Sequence, residues 1–63
     1  MKLEMYQKVC LKDGRKGHII EIFKDGEAYM VDIKRKDGDY DQETVYPKDI
    51  KSVIVEVEQP FAV

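Results

Sequence analysis

The chain has 63 residues, one cysteine and a formal net charge of −2, which leaves room for one small domain and excludes an internal disulfide. Charged residues make up 38% of the chain and hydrophobic residues 43%, a balance typical of a folded domain and not of a disordered tail. The acidic balance does not attract phosphate backbones at a distance, and no apolar run approaches the roughly 20 residues of a membrane helix. The first five residues lack the apolar segment of a signal peptide, so we expect a reduced, cytoplasmic protein.

The clearest local signal is the triplet Lys-Asp-Gly, which occurs at residues 12–14, 24–26 and 36–38. Asp-Gly between β-rich runs predicts a hairpin, because glycine tolerates the positive φ of a type I′ turn. The segments that flank the triplets share no further identity, which indicates recurring turn chemistry and not a duplicated binding unit. The spacing predicts a meander or small barrel with a longer first loop and two tight hairpins after it.

Five runs rich in β-branched and aromatic residues are predicted strands: residues 7–11, 18–24, 28–35, 40–46 and 51–57. In the third run Tyr29 and Ile33 lie on the same side of a period-2 alternation, which is typical of a strand that is wet on its other side. The second run contains isoleucines at 19, 20 and 22, which cannot all share one face of a straight strand. We therefore expect either a β-bulge there or one exposed isoleucine.

The segment before the fifth strand begins with Pro47, which predicts a single 3₁₀ turn with Ile50 closing over the core. Within the fifth strand the valines at 53, 55 and 57 alternate with other residues, so we expect the valine side to point inward. The predicted core comprises Val9, Leu11, Ile22, Tyr29, Val31, Ile33, Val53 and Val55. Because Pro60 stops the last strand, we predict one domain over residues 1–58 and a short tail over 59–63, with Phe61 either packed back or free.

Five strands with these loops resemble the SH3-like barrel, and the predicted fold class is all-β, a five-stranded SH3-like barrel with a 3₁₀ turn before the last strand. Residues 9–22 resemble the KOW-type strand-loop-strand, in which a hydrophobic strand and a glycine loop precede Gly-x-hydrophobic. Together with residues 28–33 and 44–50, this stretch is similar to small bacterial and phage-borne SH3-like proteins. KOW domains bind RNA or protein, so the resemblance implies one of these partners. The chain departs from the KOW pattern in a shorter first loop and an acidic balance, which weakens the RNA interpretation.

The sequence does not favour an enzyme or a metal site. Cys10 and His18 are its conventional nucleophile and base, but a barrel of this size has little room for a substrate pocket. One cysteine and one histidine cannot complete a zinc site. A ladder of alternating carboxylates begins like a calcium loop, but Gln42 and Lys48 occupy the positions where an EF-hand needs glycine and glutamate. We expect this acidic ladder, which comprises Asp37, Asp39, Asp41 and Glu43, to be solvated edge charge. No catalytic residue, metal, cofactor or small-molecule substrate is predicted.

Two sets of residues are candidates for binding a macromolecule. The aromatic residues least committed to the core are candidates for binding a protein: Tyr6, Phe23, Tyr40 and Tyr46. The basic residues near the first and third triplets are candidates for binding nucleic acid: Lys8, Lys12, Arg15, Lys16, Lys34, Arg35 and Lys36. The leading prediction is a non-enzymatic adaptor for a protein partner, because the acidic ladder would repel an extended polyanion. The alternative is a KOW-like nucleic-acid-binding domain, and no membrane association is predicted.

Overall fold

The computed structural model describes residues 2–55, which form one antiparallel sheet and a single 3₁₀ turn. The elements are β1 (Lys8–Leu11), β2 (Lys16–Phe23), β3 (Ala28–Lys34), β4 (Tyr40–Val45), the 3₁₀ turn (Pro47–Asp49) and β5 (Ile50–Ile54). The strand order is β4-β3-β2-β1-β5, which is compatible with an SH3-like fold. The all-β class and the 3₁₀ turn before the last strand are confirmed. The predicted end of the domain at residue 58, the predicted tail, the predicted inward position of Val57 and the prediction for Phe61 lie outside the described residues.

The bulge expected in the second strand is present. The pairing of β2 with β3 shifts register between Ile19 and Glu21. The bulge lets Ile19 be fully buried, while Ile20 and Ile22 are half-buried. The residues before β1 continue alongside β2, where the N–H of Tyr6 donates to the carbonyl of Ile19 at 2.7 Å. The bulge thus brings Ile19 and Ile22, which a straight strand would place on opposite faces, to the same side of the sheet.

The alternation predicted for β3 is confirmed, since Tyr29 and Ile33 are buried with Val31 between them. The buried core cluster comprises Leu3, Val9, Leu11, Ile19, Tyr29, Val31, Ile33, Val45 and Ile50, with Ile22 and Val53 packed partly against it. The predicted burial of Val55 is wrong, because its side chain is 79% exposed. The ladder between β1 and β5 ends where Lys8 pairs with Ile54, so no strand lies opposite Val55.

The first and third triplets form the same turn. The N–H of Gly14 donates to the carbonyl of Leu11 at 2.9 Å, and the N–H of Leu11 donates to the carbonyl of Arg15 at 2.8 Å. The third turn repeats this pair of hydrogen bonds 24 residues later, between Gly38, Arg35 and Asp39. The predicted longer first loop is therefore wrong. Positive φ is confined to the glycine in both turns, which is typical of a three-residue loop with a glycine bulge and not of the predicted type I′ turn.

The second triplet adopts a different backbone. Lys24 and Asp25 both have positive φ, at 46° and 58°, as the two central residues of a type I′ turn require. The pairing of Phe23 with Ala28 leaves four residues in this loop, whereas five separate the last paired residues of the other two hairpins. Because of that one-residue difference in loop length, the second Lys-Asp-Gly triplet forms a different type of turn from the other two.

Candidate functional site

The outer face of the sheet, opposite the core, carries a row of two lysines and a tyrosine across β2, β3 and β4. Lys34 pairs directly with Tyr40. Continuing the register of Gly17 and Ile33 by one residue places Lys16 opposite Lys34. All three side chains of this basic row, Lys16, Lys34 and Tyr40, are exposed. The basic row therefore presents two cations and a phenol side by side to solvent.

A groove of about 300 Å³ lies over the basic row and extends to the next row of the sheet. In that next row, Lys8 on β1 pairs with His18 on β2, and His18 pairs with Asp32 on β3. Lys8, His18 and Asp32 line the groove together with the three side chains of the basic row. Three of the predicted nucleic-acid-binding residues and one predicted protein-binding residue thus share one groove.

The charges of the basic row are not neutralised by neighbouring carboxylates. Within residues 2–55, the side chains of Lys16 and Lys34 form neither a hydrogen bond nor an ion pair. Like charges directly opposite each other on adjacent strands are destabilising. An anion placed between the two ammonium groups would remove that repulsion, so this point of the groove is suited to a carboxylate or phosphate.

Arg15 is committed to contacts within the domain. Its Nη1 donates to Oε2 of Glu43 at 2.6 Å and its Nη2 to Oε1 at 3.1 Å, while its Nε donates to Oδ2 of Asp13 at 2.9 Å. These hydrogen bonds from Arg15 lower the pKa of Glu43 and of Asp13 below their usual values, and they raise the pKa of Arg15. The guanidinium is therefore occupied by two carboxylates and is not a free cation for a ligand.

Arg35 is paired in the same way at the third turn. It donates to Oδ2 of Asp37 at 2.5 Å and to Oδ1 of Asp41 at 3.3 Å. The backbone N–H of Asp39 and the Arg35 guanidinium both donate to Asp37, and these bonds lower the pKa of Asp37. The acidic ladder is thus not a row of free charges, because three of its four members, Asp37, Asp41 and Glu43, are held by arginines.

The basic residues predicted near the two hairpins do adjoin in the fold. A second groove of about 330 Å³ is lined by Arg15, Lys16, Ile33, Lys34, Arg35, Lys36 and Asp41. Lys16 and Lys34 border both grooves. Lys12 lies on another side, where its backbone N–H donates to the carbonyl of Asp49 at 2.9 Å. Both arginines of the second groove are already paired with carboxylates, so the first groove is the better place for an anion.

Two of the predicted aromatic residues lie together at the far end of the same outer face. Phe23 pairs with Ala28. Continuing the register of Tyr29 and Val45 by one residue places Tyr46 opposite Ala28. This aromatic row, Phe23, Ala28 and Tyr46, combines a half-buried ring with a tyrosine that is 50% exposed. The outer face is therefore basic at one end and aromatic at the other.

The two rows are separated by the length of β4. Tyr46 follows Tyr40 by six positions, which corresponds to about 20 Å along an extended strand. Between them the outer face carries Asp32 and Gln42, which pair with each other, and Met30. Tyr6 is 72% exposed in the turn before β1, with a φ of 68°. It is not part of either row.

Cys10 and His18, the conventional nucleophile and base of the sequence, lie on the neighbouring strands β1 and β2. Cys10 pairs with Lys16 and His18 pairs with Lys8, so the thiol and the imidazole occupy different rows. The Sγ of Cys10 lies 3.5 Å from the carbonyl oxygen of Leu11. In residues 2–55, no three histidine, cysteine or carboxylate side chains form a group that could hold a metal ion.

Comparison of the chain with protein-family models, with curated proteins and with solved structures found no match. Across residues 2–55 there is also no helix with the length and apolar character needed to cross a membrane. The function must therefore be argued from the outer face itself.

Proposed function

We propose that this domain is a non-enzymatic SH3-like adaptor that binds an extended segment of a partner protein along its outer face. The segment carries acidic side chains at the end that meets Lys16 and Lys34 and apolar side chains at the end that meets Phe23 and Tyr46. The observation that supports this proposal best is the placement of the basic and aromatic rows at opposite ends of one exposed face. A peptide of about six extended residues spans that distance.

A protein segment fits the charge distribution better than a long nucleic acid does. Lys16 and Lys34 lie at one end of the outer face, and the whole chain has a net charge of −2. At the other end the face offers rings and Met30, which bind apolar side chains and contribute no attraction for phosphates. A polymer with one negative charge per residue would meet cations over only part of its length.

The proposal predicts that changing Lys16 and Lys34 together to alanine weakens the binding of an acidic-aromatic peptide about fivefold, since each exposed ion pair contributes roughly 0.2–1 kcal/mol. The probe is a fluorescein-labelled six-residue peptide with three glutamates at one end and three phenylalanines at the other, made in both orders. Fluorescence anisotropy gives the Kd. The matched control changes Lys48 and Lys51 to alanine, which removes the same charge from exposed positions outside both rows. Equal weakening by both double variants would refute the proposed site.

Single-stranded nucleic acid is a second candidate, favoured by two specific observations. Tyr40 lies beside Lys34 in the basic row, as a stacking ring beside a phosphate contact would. The arginine pairs also neutralise three carboxylates that would otherwise repel a polyanion. If this candidate is right, an oligothymidylate probe binds with a log-log salt slope of about −1.4 for Lys16 and Lys34. Its affinity then falls on changing Lys16 and Lys34 and is indifferent to Tyr46→Ala, whereas the peptide's affinity falls with both.

A further inference from the structure

One carboxylate oxygen in the groove has no partner. Asp32 lines the first groove in the row next to the basic row. Its Oδ1 is buried without a hydrogen bond among the described residues. A buried acceptor without a donor is unfavourable, because the atom has lost its water and gained nothing in exchange. The neighbouring basic row attracts anions. An anion that carries no hydrogen-bond donor would leave Oδ1 of Asp32 without a partner and would be repelled by the charge of this carboxylate.

We propose that Asp32 makes the groove selective for anions that carry a hydrogen-bond donor next to their charge. A peptide has this property, since every acidic residue brings its own backbone N–H. A simple polycarboxylate or a DNA backbone brings negative charge without donors. This inference rests on the proposed function and specifies its ligand: Lys16 and Lys34 take the acidic side chain, and the carboxylate of Asp32 accepts from the adjacent N–H.

The position of Asp32 fits this role. Asp32 belongs to the row next to the basic row. It precedes Lys34 by two positions along β3, so both side chains are on the outer face. Two residues of an extended strand span about 7 Å, which is also the distance between alternate residues of a bound extended peptide. A ligand strand running along β3 therefore places an acidic side chain at Lys34 and a backbone N–H near Asp32 in one register.

The test compares two probes with the same number of carboxylates in the intact protein. Hexaglutamate that is acetylated at its N-terminus and amidated at its C-terminus has six carboxylates and backbone N–H donors, and an acrylate oligomer of six carboxylates has no such donors. We expect Asp32→Asn to weaken hexaglutamate binding about fivefold through loss of a charged acceptor and to strengthen acrylate binding about threefold through loss of repulsion. Asp32→Ala should shift both affinities in the same directions. Glu27→Gln, which removes one charge from an exposed loop position, should change neither.

The possible results of these binding measurements distinguish a failure of this inference from a failure of the proposed function on which it rests. If both probes bind more tightly to Asp32→Asn, and both still depend on Lys16 and Lys34, Asp32 is only a repulsive charge and the inference is overturned while the binding site stands. If neither probe binds, or if binding ignores the two lysines, the proposed site is wrong and the inference is overturned with it. A thermal melt of each variant, followed by circular dichroism, verifies that loss of hexaglutamate binding is measured on folded protein.

Discussion

Replacing Gly17 with alanine is expected to unfold most of the domain at 37 °C. A Cβ on this residue of β2 would lie 2.5 Å from the carbonyl oxygen of Asp32, 2.7 Å from Cγ1 of Val31 and 3.0 Å from Cγ1 of Ile33. The first of these atoms is backbone and cannot rotate away. Overpacking of this kind typically costs 1–3 kcal/mol and more where the neighbours cannot yield, while a single core of this size supplies roughly 3–5 kcal/mol in total.

The measurement is urea unfolding of the Gly17→Ala variant by circular dichroism, with Gly14→Ala as the matched control. Gly14 has a φ of 95° and open space around it, so alanine there meets only backbone strain of about 1–2 kcal/mol. We therefore expect a folded but weakened Gly14→Ala protein and a largely unfolded Gly17→Ala protein. Equal unfolding midpoints for the two variants would mean that β2 and β3 do not approach as closely as described.

Replacing Ile33 with alanine is the second large effect we expect, with a loss of about 2–5 kcal/mol of unfolding free energy. Ile33 is 4% exposed and belongs to the central cluster beneath β3. Truncation removes its packing and leaves a cavity that a five-stranded sheet cannot fully close. The loss is comparable with the whole stability of a domain this small, so the variant should melt below 37 °C.

The control for this prediction is Val55→Ala, which sequence patterning alone would place in the core. Val55 is 79% exposed, and truncation of such a side chain usually changes stability by less than about 0.5 kcal/mol. An unchanged melting temperature for Ile33→Ala, or a large loss for Val55→Ala, would contradict the burial pattern described above.

Much of the fold was predictable because it depends on local signals. Alternation in β3, the proline that begins the 3₁₀ turn and the three Asp-Gly pairs each act over a few neighbouring residues, and each is found where it was predicted. The turn types were not predictable in the same way. They depend on how many residues the flanking register leaves unpaired, and the triplet at residues 24–26 adopts a different backbone from the other two for that reason.

The misjudged positions depend on contacts between distant parts of the chain. Val55 is exposed because β1 begins at Lys8, which pairs with Ile54, so that no strand residue lies opposite Val55. No residue near Val55 in the sequence reveals where β1 begins. Glu43 of the acidic ladder is paired with Arg15, which is 28 residues away in the chain. Gly17 carries no turn signal at all, and only the approach of β3 shows why a side chain is excluded there. In the sequence, Gly17 is marked only by its position after the loop that contains Gly14 and before Ile19 and Ile20.

The candidate site was predictable as two lists of residues but not as one surface. Chemistry alone placed Tyr40 and Tyr46 among the candidate aromatic residues and Lys16 and Lys34 among the candidate basic residues. Register then placed them on one face, with the two lysines opposite each other and the two tyrosines at opposite ends of β4. The same register shows why the acidic ladder does not block this face, since Glu43 pairs with Val31 on the core-facing side.

The most direct test of the binding face is an NMR titration of the ¹⁵N-labelled protein with the six-residue acidic-aromatic peptide. The proposal predicts amide shift changes along the outer face, at Lys16, Lys34 and Tyr40 at one end and at Phe23 and Tyr46 at the other. Amides of β5, such as that of Lys51, should stay in place. Shift changes confined to β5 or to the turn at Tyr6, or no change at millimolar peptide, would contradict the assignment of the outer face as the binding site.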